Sequence, residues 1–244
     1  MANPRILLSG AKGRMGVAIA EQASAANFDI AGAIDIGDNP ADLIANCDVV
    51  IDFSHHTATA ALVALAAQHG KAVVIGTTGH SEAEKKDILA HQSTIPIVWA
   101  GNYSVGVNLL FFLTQKAAEI LGQDYHPEIL ELHHCHKKDA PSGTALNLAE
   151  AIQSAADFQD SPLRNGREGV TGERDPKEIG MHAIRGGEIV GEHTAFFIGP
   201  NDRIELTHRA SDRGIFASGA LRAAAWATQQ AAGLYNMRDV LGFR

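Results

Sequence analysis

The sequence predicts an α/β fold with two units, a parallel-sheet unit followed by a second unit of helices and antiparallel strands. From residue 5 to residue 99, short apolar runs alternate with glycine-rich or polar turns and alanine-rich helical stretches, which is the β-α-β pattern of a parallel sheet. A glycine-rich turn directly follows the first apolar run. After Asn102 this alternation stops, so we expect a different unit to begin there.

The first unit is predicted from the spacing of its apolar residues. Runs of β-branched and apolar residues predict strands at 6–9, 30–34, 49–53, 72–75 and 95–99. Helical spacing predicts helices at 15–24, 57–69 and 81–92. The strands are apolar at almost every position, which is typical of a parallel sheet that is covered on both faces.

The second unit mixes helices and strands in a different order. Helices are predicted at 105–121 and 142–157, and a single alanine-rich helix at 216–234 is predicted at the end of the sequence. Strands are predicted at 128–134 and, as antiparallel strands, at 182–190, 193–198 and 203–208. Residues 163–180 are rich in Gly, Arg, Glu and Pro without periodicity, so we interpret them as a long mobile loop and hypothesise that it closes as a lid over substrate.

The composition argues against several classes of partner. The 244 residues carry 20 Lys and Arg against 28 Asp and Glu, a formal charge of −8, and no stretch clusters the basic residues that nucleic acid requires. No apolar run approaches the roughly 20 residues of a membrane-spanning helix, and the first 16 residues lack the apolar core of a signal peptide. Cys47 and Cys135 are therefore expected as free thiols. We expect a cytoplasmic protein whose partners are small molecules.

The turn after the first strand has the sequence Gly-Ala-Lys-Gly-Arg-Met-Gly. Its spacing is close to the dinucleotide fingerprint, in which Gly10 and Gly13 shape the turn, backbone N–H groups approach a pyrophosphate, and Gly16 lets the helix close on the sheet. Asp35, 19 residues after Gly16, is placed to accept hydrogen bonds from ribose hydroxyls. The alternative is that these glycines only make a tight strand-to-helix turn, and Asp35 favours nucleotide binding.

The choice between NADH and NADPH stays open from these residues alone. Asp35 would repel a 2′-phosphate and favour NADH. Lys12 and Arg14 would attract the same phosphate at short range. Both cofactors are therefore candidates.

Two further loops follow predicted strands at the edge where open α/β sheets bind ligands. They are Gly76-Thr77-Thr78-Gly79 and Ala100-Gly101-Asn102-Tyr103. Thr and Asn side chains supply hydrogen bonds and a Tyr ring covers a flat face, so both loops are candidates for a nicotinamide site. The alternative for each is ordinary turn chemistry, and their shared position favours binding.

The densest group of chemically active residues is the run Glu-Leu-His-His-Cys-His-Lys-Lys-Asp-Ala-Pro-Ser-Gly-Thr at 131–144. A metal site is disfavoured there, because strand alternation would place His133, Cys135 and Lys137 on the face opposite to the other two histidines, and because lysines repel a cation. A purely structural role at a strand edge is a second interpretation. In the third, Lys137 is a cationic acid, and His133 or His134 binds or polarises a carboxylate.

A carboxylate site is expected at the end of this run. Pro141 suits the first turn of a helix, and Ser142, Gly143 and Thr144 follow it. Free N–H groups and hydroxyls at a helix N-terminus bind carboxylates, and a glycine there lets the substrate approach closely. We therefore expect a substrate that carries carboxylates.

These motifs resemble the dihydrodipicolinate reductases, also called 4-hydroxy-tetrahydrodipicolinate reductases, of the diaminopimelate route to lysine. The resemblance covers nearly the whole chain, with motifs at 10–16, 51–53, 76–79, 102–108, 131–144, 191–194 and 237–241. The run at 131–144 is the most specific of them. The resemblance implies reduction of the cyclic imine of the dehydrated substrate by NADH or NADPH, giving tetrahydrodipicolinate.

The resemblance also implies a domain organisation and a set of site residues. The implied domains are a Rossmann-type dinucleotide-binding domain at 1–103 and 217–244, and a mixed α+β substrate domain at 104–216 whose sheet forms a homotetramer. His133 and Lys137 look like the catalytic residues. The substrate ligands look like His134, Ser142, Gly143 and Thr144. The cofactor ligands look like Gly10, Ala11, Lys12, Gly13, Arg14, Met15, Asp35, Gly76, Thr77, Thr78, Ala100, Gly101, Asn102 and Tyr103. No metal is expected.

The sequence departs from the family pattern in two places. Ile36 follows Asp35 where many members carry Arg, and the segment between Asp35 and Val49 is shorter than in longer members. The first departure weakens the case for recognition of a 2′-phosphate.

Overall fold

The computed structural model of the chain describes residues 3–243. The chain divides into two compact units. Unit 1 comprises the residues up to Val105 together with those from Arg213 onward, and unit 2 comprises Gly106–Asp212.

Residues 3–243 form eleven strands and seven α-helices, besides short 3₁₀ turns. The strands are β1 (Arg5–Ser9), β2 (Asp29–Ile34), β3 (Val49–Asp52), β4 (Ala72–Ile75), β5 (Pro96–Trp99), β6 (His126–His133), β7 (Leu163–Asn165), β8 (Ile179–Arg185), β9 (Glu192–Ile198), β10 (Arg203–Arg209) and β11 (Gly233–Tyr235). The helices are α1 (Arg14–Ala25), α2 (His56–Gln68), α3 (Glu82–Leu89), α4 (Val105–Leu121), α5 (Gly143–Gln153), α6 (Gly214–Ala227) and α7 (Met237–Leu241).

Unit 1 contains a six-stranded parallel sheet in the order β11-β5-β4-β3-β1-β2. Every residue of β3 and β4 is buried, as expected for central strands that are covered on both faces. The chain passes from β1 to the edge strand β2 and returns to β3 on the other side of β1. Ligands of open α/β sheets bind at the carboxyl ends of strands beside such a reversal, which here are Ser9 and Asp52.

Alternation along the strands of unit 1 supplies two separate cores. Ile6 and Leu8 of β1 pack in the core that also contains apolar residues of α1 and α6. Leu7, between them, packs in the opposite core with apolar residues of α2 and α3. The helices therefore cover both faces of the sheet and leave its strand ends for a ligand.

Unit 2 contains a mixed five-stranded sheet in the order β10-β9-β6-β8-β7. The central strand β6 runs antiparallel to β9 and parallel to β8. Alternate residues of β6 are buried, and Ile129 packs in a core with Leu110 of α4 and Leu148 and Ile152 of α5. One face of the sheet is thus covered by helices, which also fixes the direction in which Glu131 and His133 point.

The predicted fold class is confirmed, and every strand predicted for unit 1 is present. The strands expected at 128–134, 193–198 and 203–208 are also present, and the last two pair antiparallel. The strand expected at 182–190 lies at Ile179–Arg185 and runs parallel to β6, so its antiparallel assignment is wrong. The paired residues of β6 and β8 are 52 positions apart in sequence, as in Glu128 and Gly180, and an apolar pattern carries no information on pairing direction.

Two other predictions need correction. The helix expected at 216–234 ends at Ala227, and Gly233–Tyr235 then adds a sixth strand to the sheet before the short helix α7. The segment 163–180 is not a simple loop, because β7 and the start of β8 occupy its ends and because Arg167 and Arg174 both bind Glu128. Whether this segment closes as a lid stays a prediction. No helix within residues 3–243 is long and apolar enough to span a membrane.

Candidate active site

The glycine-rich turn of unit 1 joins β1 to α1 and is shaped by close backbone contacts. Gly10 has a φ of 77°, and a Cβ there would lie 2.3 Å from the carbonyl oxygen of Phe53. A Cβ on Gly16 would lie 2.2 Å from the carbonyl oxygen of Gly10. Both positions therefore require glycine for the protein's own packing, one for the turn and one for the approach of α1.

The N–H groups of this turn are largely used within the protein. Those of Gly10 and Ala11 donate to the Ile34 carbonyl oxygen at 3.0 and 3.1 Å, and that of Lys12 donates to Asp35 at 2.8 Å. α1 begins at Arg14 without a side chain capping its first turn. These three N–H groups donate within the protein, contrary to the expectation that they face a pyrophosphate, and the first turn of α1 stays the candidate for that role.

Asp35 is held in place at the end of β2. Its carboxylate accepts the N–H groups of Lys12 and Ile36, each at 2.8 Å. The hydrogen bond from Ile36, followed by that from Lys12, holds the pKa of Asp35 below its usual range. An ionised, oriented carboxylate accepts hydroxyl groups and repels phosphate.

A cavity of about 740 Å³ lies beside Asp35 in unit 1. Its lining includes Gly10, Gly13, Asp35, Ile36, Ser54 and His55. This cavity follows the carboxyl ends of β1 and β3, where the reversal in strand order predicts a ligand. Its size and its carboxylate suit the adenosine part of a dinucleotide.

Asp52 organises the first of the two further loops, at 76–79, and is absent from the predicted site residues. The Asp52 carboxylate is fully buried and accepts hydrogen bonds from the hydroxyls of Ser54, Thr59 and Thr77. Gly76 lies against the Phe53 ring, since a Cβ there would meet that ring at 2.2 Å. The sequence carried two signals for Asp52, its place as an acidic residue at the end of an apolar strand and the motif at 51–53. Of Thr77 and Thr78, Thr78 is exposed and Thr77 is buried.

In the second loop, at 100–103, Tyr103 does not face a ligand as expected. The Tyr103 side chain is 1% exposed, and its hydroxyl lies 2.8 Å from the Ile75 carbonyl oxygen and 3.0 Å from that of Val98. Its ring therefore belongs to the core and does not cover a nicotinamide. Gly101, in the same loop, is exposed, and a Cβ there would meet no atom within 4 Å.

In unit 2, β6 places Glu131 and His133 on its buried face and ends at His133. Beyond the strand, the N–H of His134 donates to Ile189 at 2.8 Å and that of Cys135 donates to Gly187 at 3.2 Å. The argument from strand alternation therefore does not hold for the residues after His133, because they have left the strand.

Glu131 is the centre of the hydrogen-bond network in this unit. Its buried carboxylate accepts four hydrogen bonds, two at each oxygen. Oε2 accepts from Nδ1 of His133 at 2.5 Å and from Arg185 at 2.7 Å. Oε1 accepts from the Ser142 N–H at 3.1 Å and from Arg185 at 2.7 Å. One carboxylate thus links β6, β8 and the start of α5.

The start of α5 has the features expected of a carboxylate site. The Ser142 hydroxyl oxygen accepts the Ala145 N–H at 3.1 Å and lies 2.9 Å from Nε2 of His193. A Cβ on Gly143 would meet no atom within 4 Å, so the space in front of the helix is open. Thr144 is partly buried in the first turn. The helix N-terminus therefore faces space that an anion can enter.

Lys137 and His134 lie in the segment after β6. The Lys137 ammonium binds both carboxylate oxygens of Asp139 at 2.9 Å. Nδ1 of His134 is buried and has no hydrogen-bond partner within residues 3–243. Beside the Glu131 network, unit 2 therefore has a cation, a histidine with an unpaired ring nitrogen and an open helix N-terminus, which suit an anionic substrate that takes up a proton.

Comparison with known proteins decides the family. The family model described as "Dihydrodipicolinate reductase, N-terminus" matches residues 4–103, and the one described as "Dihydrodipicolinate reductase, C-terminus" matches residues 106–241. The chain belongs to the dihydrodipicolinate reductase family. The resemblance seen in the sequence motifs is confirmed.

Relatives in this family match nearly the whole chain. A 4-hydroxy-tetrahydrodipicolinate reductase of Akkermansia muciniphila is 52% identical and covers 97% of each chain. One from Thiobacillus denitrificans is 44% identical and covers 98% of this chain and 99% of its own. Among solved structures, the dipicolinate-bound dihydrodipicolinate reductase of Paenisporosarcina sp. TG-14 has a TM-score of 0.78 at 22% identity, covering 96% of this chain and 97% of its own. That structure shares the fold.

Two residues of the Glu131 network, Arg185 and His193, are absent from the predicted site residues. Arg185 and His193 lie 54 and 51 positions from the residues that they contact, Glu131 and Ser142. Burial, followed by the proximity of His133, lowers the pKa of His193 to about 4. A signal for His193 existed in the motif Gly-Glu-His-Thr at 191–194, but that motif does not indicate which residue the histidine contacts.

One group of possible metal ligands lies within residues 3–243. The ligand atoms of Cys135, His136 and Glu188 lie within 4.8 Å of one another, and all three residues are exposed. None of them belongs to the Glu131 network. That the reductase works without a metal stays a prediction, which elemental analysis of the purified protein tests.

Proposed function

We propose that the chain reduces the cyclic imine formed by dehydration of 4-hydroxy-tetrahydrodipicolinate to tetrahydrodipicolinate, a step of lysine and diaminopimelate biosynthesis. The observation that carries this proposal is the bonding of Glu131 to both His133 and Ser142, which joins a proton-transfer group and a carboxylate site in one buried network. The activity named for the curated relatives supports the same reaction.

Unit 1 would hold the nucleotide cofactor. Its cavity, the uncapped first turn of α1 and the ionised Asp35 suit adenosine and a pyrophosphate. Reductases of this family use NADH or NADPH, and the bound cofactor supplies a hydride. We propose that Arg14 and Met15 donate their N–H groups to the pyrophosphate and that the loops at 76–78 and 100–102 lie along the nicotinamide.

Unit 2 would hold the dicarboxylate. The Gly143 N–H, the Ser142 hydroxyl and Thr144 meet one carboxylate at the start of α5, and His134 adds a ring nitrogen to the same site. Hydride addition to the conjugated C=C–C=N system moves electrons toward the ring nitrogen and leaves an enamine that must be protonated. Lys137 carries the proton for this step, and its positive charge stabilises the electron-rich ring before the transfer.

We propose that NADH is preferred over NADPH. Asp35 is ionised and oriented, so it accepts the ribose hydroxyls of NADH and repels the 2′-phosphate of NADPH. Ile36, which stands where many members have Arg, is 97% exposed and supplies no charge to offset that repulsion. A comparison of kcat/KM for the two cofactors tests this preference.

We also propose a cytoplasmic homotetramer that forms through the sheet of unit 2. The face of this sheet opposite to α4 and α5 carries a set of apolar residues that are exposed or only partly buried, namely Leu130, Leu132, Ile184, Phe196 and Ile198. An apolar sheet face of this kind is typical of an interface between subunits. Light scattering of the purified chain is expected to show four chains per particle.

An enzyme assay tests the proposed reaction directly. The substrate is made fresh by dihydrodipicolinate synthase, and oxidation of NADH or NADPH is followed by absorbance. We expect oxidation only when the synthase product is present. Absence of turnover with both cofactors would overturn the proposed function, and a panel of other imines and 2-oxo acids separates this reductase from other nicotinamide-linked dehydrogenases.

A further inference from the structure

We propose that Glu131 is a positioning residue that holds the neutral His133 ring with its proton on Nδ1 and with the Nε2 lone pair directed to the substrate site. The proposal rests on the function proposed above and deepens it, because it assigns His133 the part of a hydrogen-bond acceptor and leaves proton donation to Lys137. Nothing in the family motif distinguishes these two parts.

The first step of the argument is that Glu131 is ionised. Burial alone would raise the pKa of this carboxyl, but the hydrogen bonds from Arg185 and His133 outweigh burial, and the pKa lies below its usual range. Arg185 binds both carboxylate oxygens at 2.7 Å. An ionised carboxylate accepts hydrogen bonds and donates none.

The second step concerns the proton of His133. Burial lowers the pKa of this histidine and Glu131 only partly offsets the effect, so the ring is neutral near pH 7 and carries one N–H. Because Glu131 only accepts, the hydrogen bond at Nδ1 requires the proton on that nitrogen. Nε2 is then an acceptor.

The third step is that no side chain crowds Nε2 of His133 on the side of Gly191. A Cβ on Gly191 would lie 3.1 Å from Nε2, and the glycine at this position leaves that side of the ring free of a side chain. The charged and titratable groups around the ring are Glu131 on its own strand, Arg185 on β8, His193 on β9 and Lys137 in the segment after β6. Arg185 already donates to Glu131, Ile184 and Asp139, which leaves the Lys137 ammonium as the donor suited to a lone pair at Nε2.

The same carboxylate also sets the geometry between the histidine and the carboxylate site. Oε1 of Glu131 accepts the Ser142 N–H at the start of α5 while Oε2 accepts Nδ1 of His133. Rotation of the Glu131 side chain would therefore break both contacts together. A neutral ring with a fixed acceptor at Nε2 orients the donor and does not itself supply the proton.

The test is Glu131→Gln in the full chain labelled with ¹⁵N-histidine. A glutamine has one acceptor oxygen, and both Arg185 and the Ser142 N–H are fixed donors, so its amide N–H₂ is expected to face His133. The ring must then accept at Nδ1, and its proton moves to Nε2. The nitrogen shifts of a neutral imidazole distinguish the two tautomers, and His133→Gln identifies the signals.

In the unaltered chain we expect the His133 proton on Nδ1. In Glu131→Gln we expect it on Nε2, together with a loss of kcat of about 10²-fold and an unchanged KM for NADH. Glu128→Gln is the matched control, because Glu128 lies on the same strand, binds Arg167 and contacts a histidine, His182. This control is expected to keep the His133 tautomer and kcat.

An Nε2–H tautomer in the unaltered chain, or an unchanged tautomer in Glu131→Gln, would overturn the proposal. If Glu131→Gln does not fold, Glu131→Asp replaces it. The expected result is then a mixture of His133 tautomers with an intermediate kcat, and a pure Nδ1–H form would contradict the proposal. The tautomer is read without turnover. Absence of reductase activity in the unaltered chain would therefore overturn the proposed function and leave this measurement valid.

Discussion

The two units prepare for negatively charged ligands in opposite ways. In unit 1 the proposed donors are backbone N–H groups at the start of α1, while Asp35 and Asp52 accept hydrogen bonds that hold the turns in place. In unit 2 we propose that side chains act together with the backbone N–H groups at the start of α5, and one buried carboxylate, Glu131, is bonded to both His133 and Ser142. Mutations should therefore act mainly through the backbone shape in unit 1, and through side-chain chemistry and access to the start of α5 in unit 2.

The largest effect is expected from Lys137→Ala, which removes a side chain of unit 2. The variant loses the cationic acid, so kcat should fall about 10³-fold while KM for NADH remains unchanged. Steady-state kinetics with fresh substrate measure both constants. Lys138→Ala is the matched control, because Lys138 is an exposed neighbour with the same charge, and it should keep kcat. Equal kcat in the two variants would contradict the acid role of Lys137.

This difference between the units also explains which parts of the site could be predicted from the sequence. The glycine turn and Asp35 are close in sequence and obey a spacing rule, so their positions were predicted. Glu131 and His133 were likewise visible in one motif. Arg185 and His193 reach the site from β8 and β9, more than 50 positions away, and no local pattern indicates which partner a distant charged residue will contact.

The second effect is a loss of stability in unit 1 from Gly10→Ala. The positive φ and the 2.3 Å approach to the Phe53 carbonyl oxygen leave no room for a Cβ, so the free energy of unfolding should fall by about 3 kcal/mol. Urea unfolding followed by circular dichroism measures the change.

Gly101→Ala is the control for this change in unit 1. Gly101 has an ordinary φ, and a Cβ there would meet no atom within 4 Å, so its unfolding midpoint should stay close to that of the unaltered chain. Equal losses in the two variants would show that the tight turn at Gly10 is not what limits stability.

The third effect is a dependence of stability on pH that arises in unit 2 from His193. Burial lowers the pKa of His193 to about 4, whereas an unfolded histidine titrates near 6.5. Between these values the unfolded chain binds more protons, so the free energy of unfolding falls as the pH falls from about 6.5 toward 4. Glu131, His133, His208 and Lys137 also influence this ring.

His193→Gln should remove this part of the pH dependence. Between pH 7.5 and pH 5 the unaltered chain should lose about 2 kcal/mol more stability than the variant does, as measured by urea unfolding at each pH. His136→Gln, which replaces an exposed histidine of the same unit, should behave like the unaltered chain. Identical pH profiles for the unaltered chain and His193→Gln would refute the role of burial.

Tyr103 and β8 show where the sequence was misleading. An aromatic residue in a loop after a strand predicts a ligand group. The Tyr103 ring is instead buried and its hydroxyl donates to two strand carbonyl oxygens, so the residue is part of the core. The apolar run at β8 was visible, but whether a strand runs parallel or antiparallel depends on partners far away in sequence. Elements were therefore more predictable than the contacts between them.

The smallest effect is expected from Gly143→Ala, because a Cβ at Gly143, unlike one at Gly10, meets open space. No protein atom lies within 4 Å of a Cβ at Gly143, and alanine is the better helix former, so stability should not fall. If the open space at the start of α5 receives the substrate carboxylate, the added methyl group obstructs it, and KM for the dicarboxylate should rise about tenfold, a change of about 1.4 kcal/mol. KM for NADH should stay unchanged.

Kinetics and thermal unfolding of the same Gly143→Ala preparation separate the two uses of glycine. A lower Tm would mean that Gly143, like Gly10, serves the packing of the protein. An unchanged KM for the dicarboxylate would mean that the carboxylate binds elsewhere in unit 2. A raised KM with an unchanged Tm would show that Gly10 is needed for folding and Gly143 for binding of the carboxylate. Of the two, Gly10 is the one closely surrounded by the protein's own atoms.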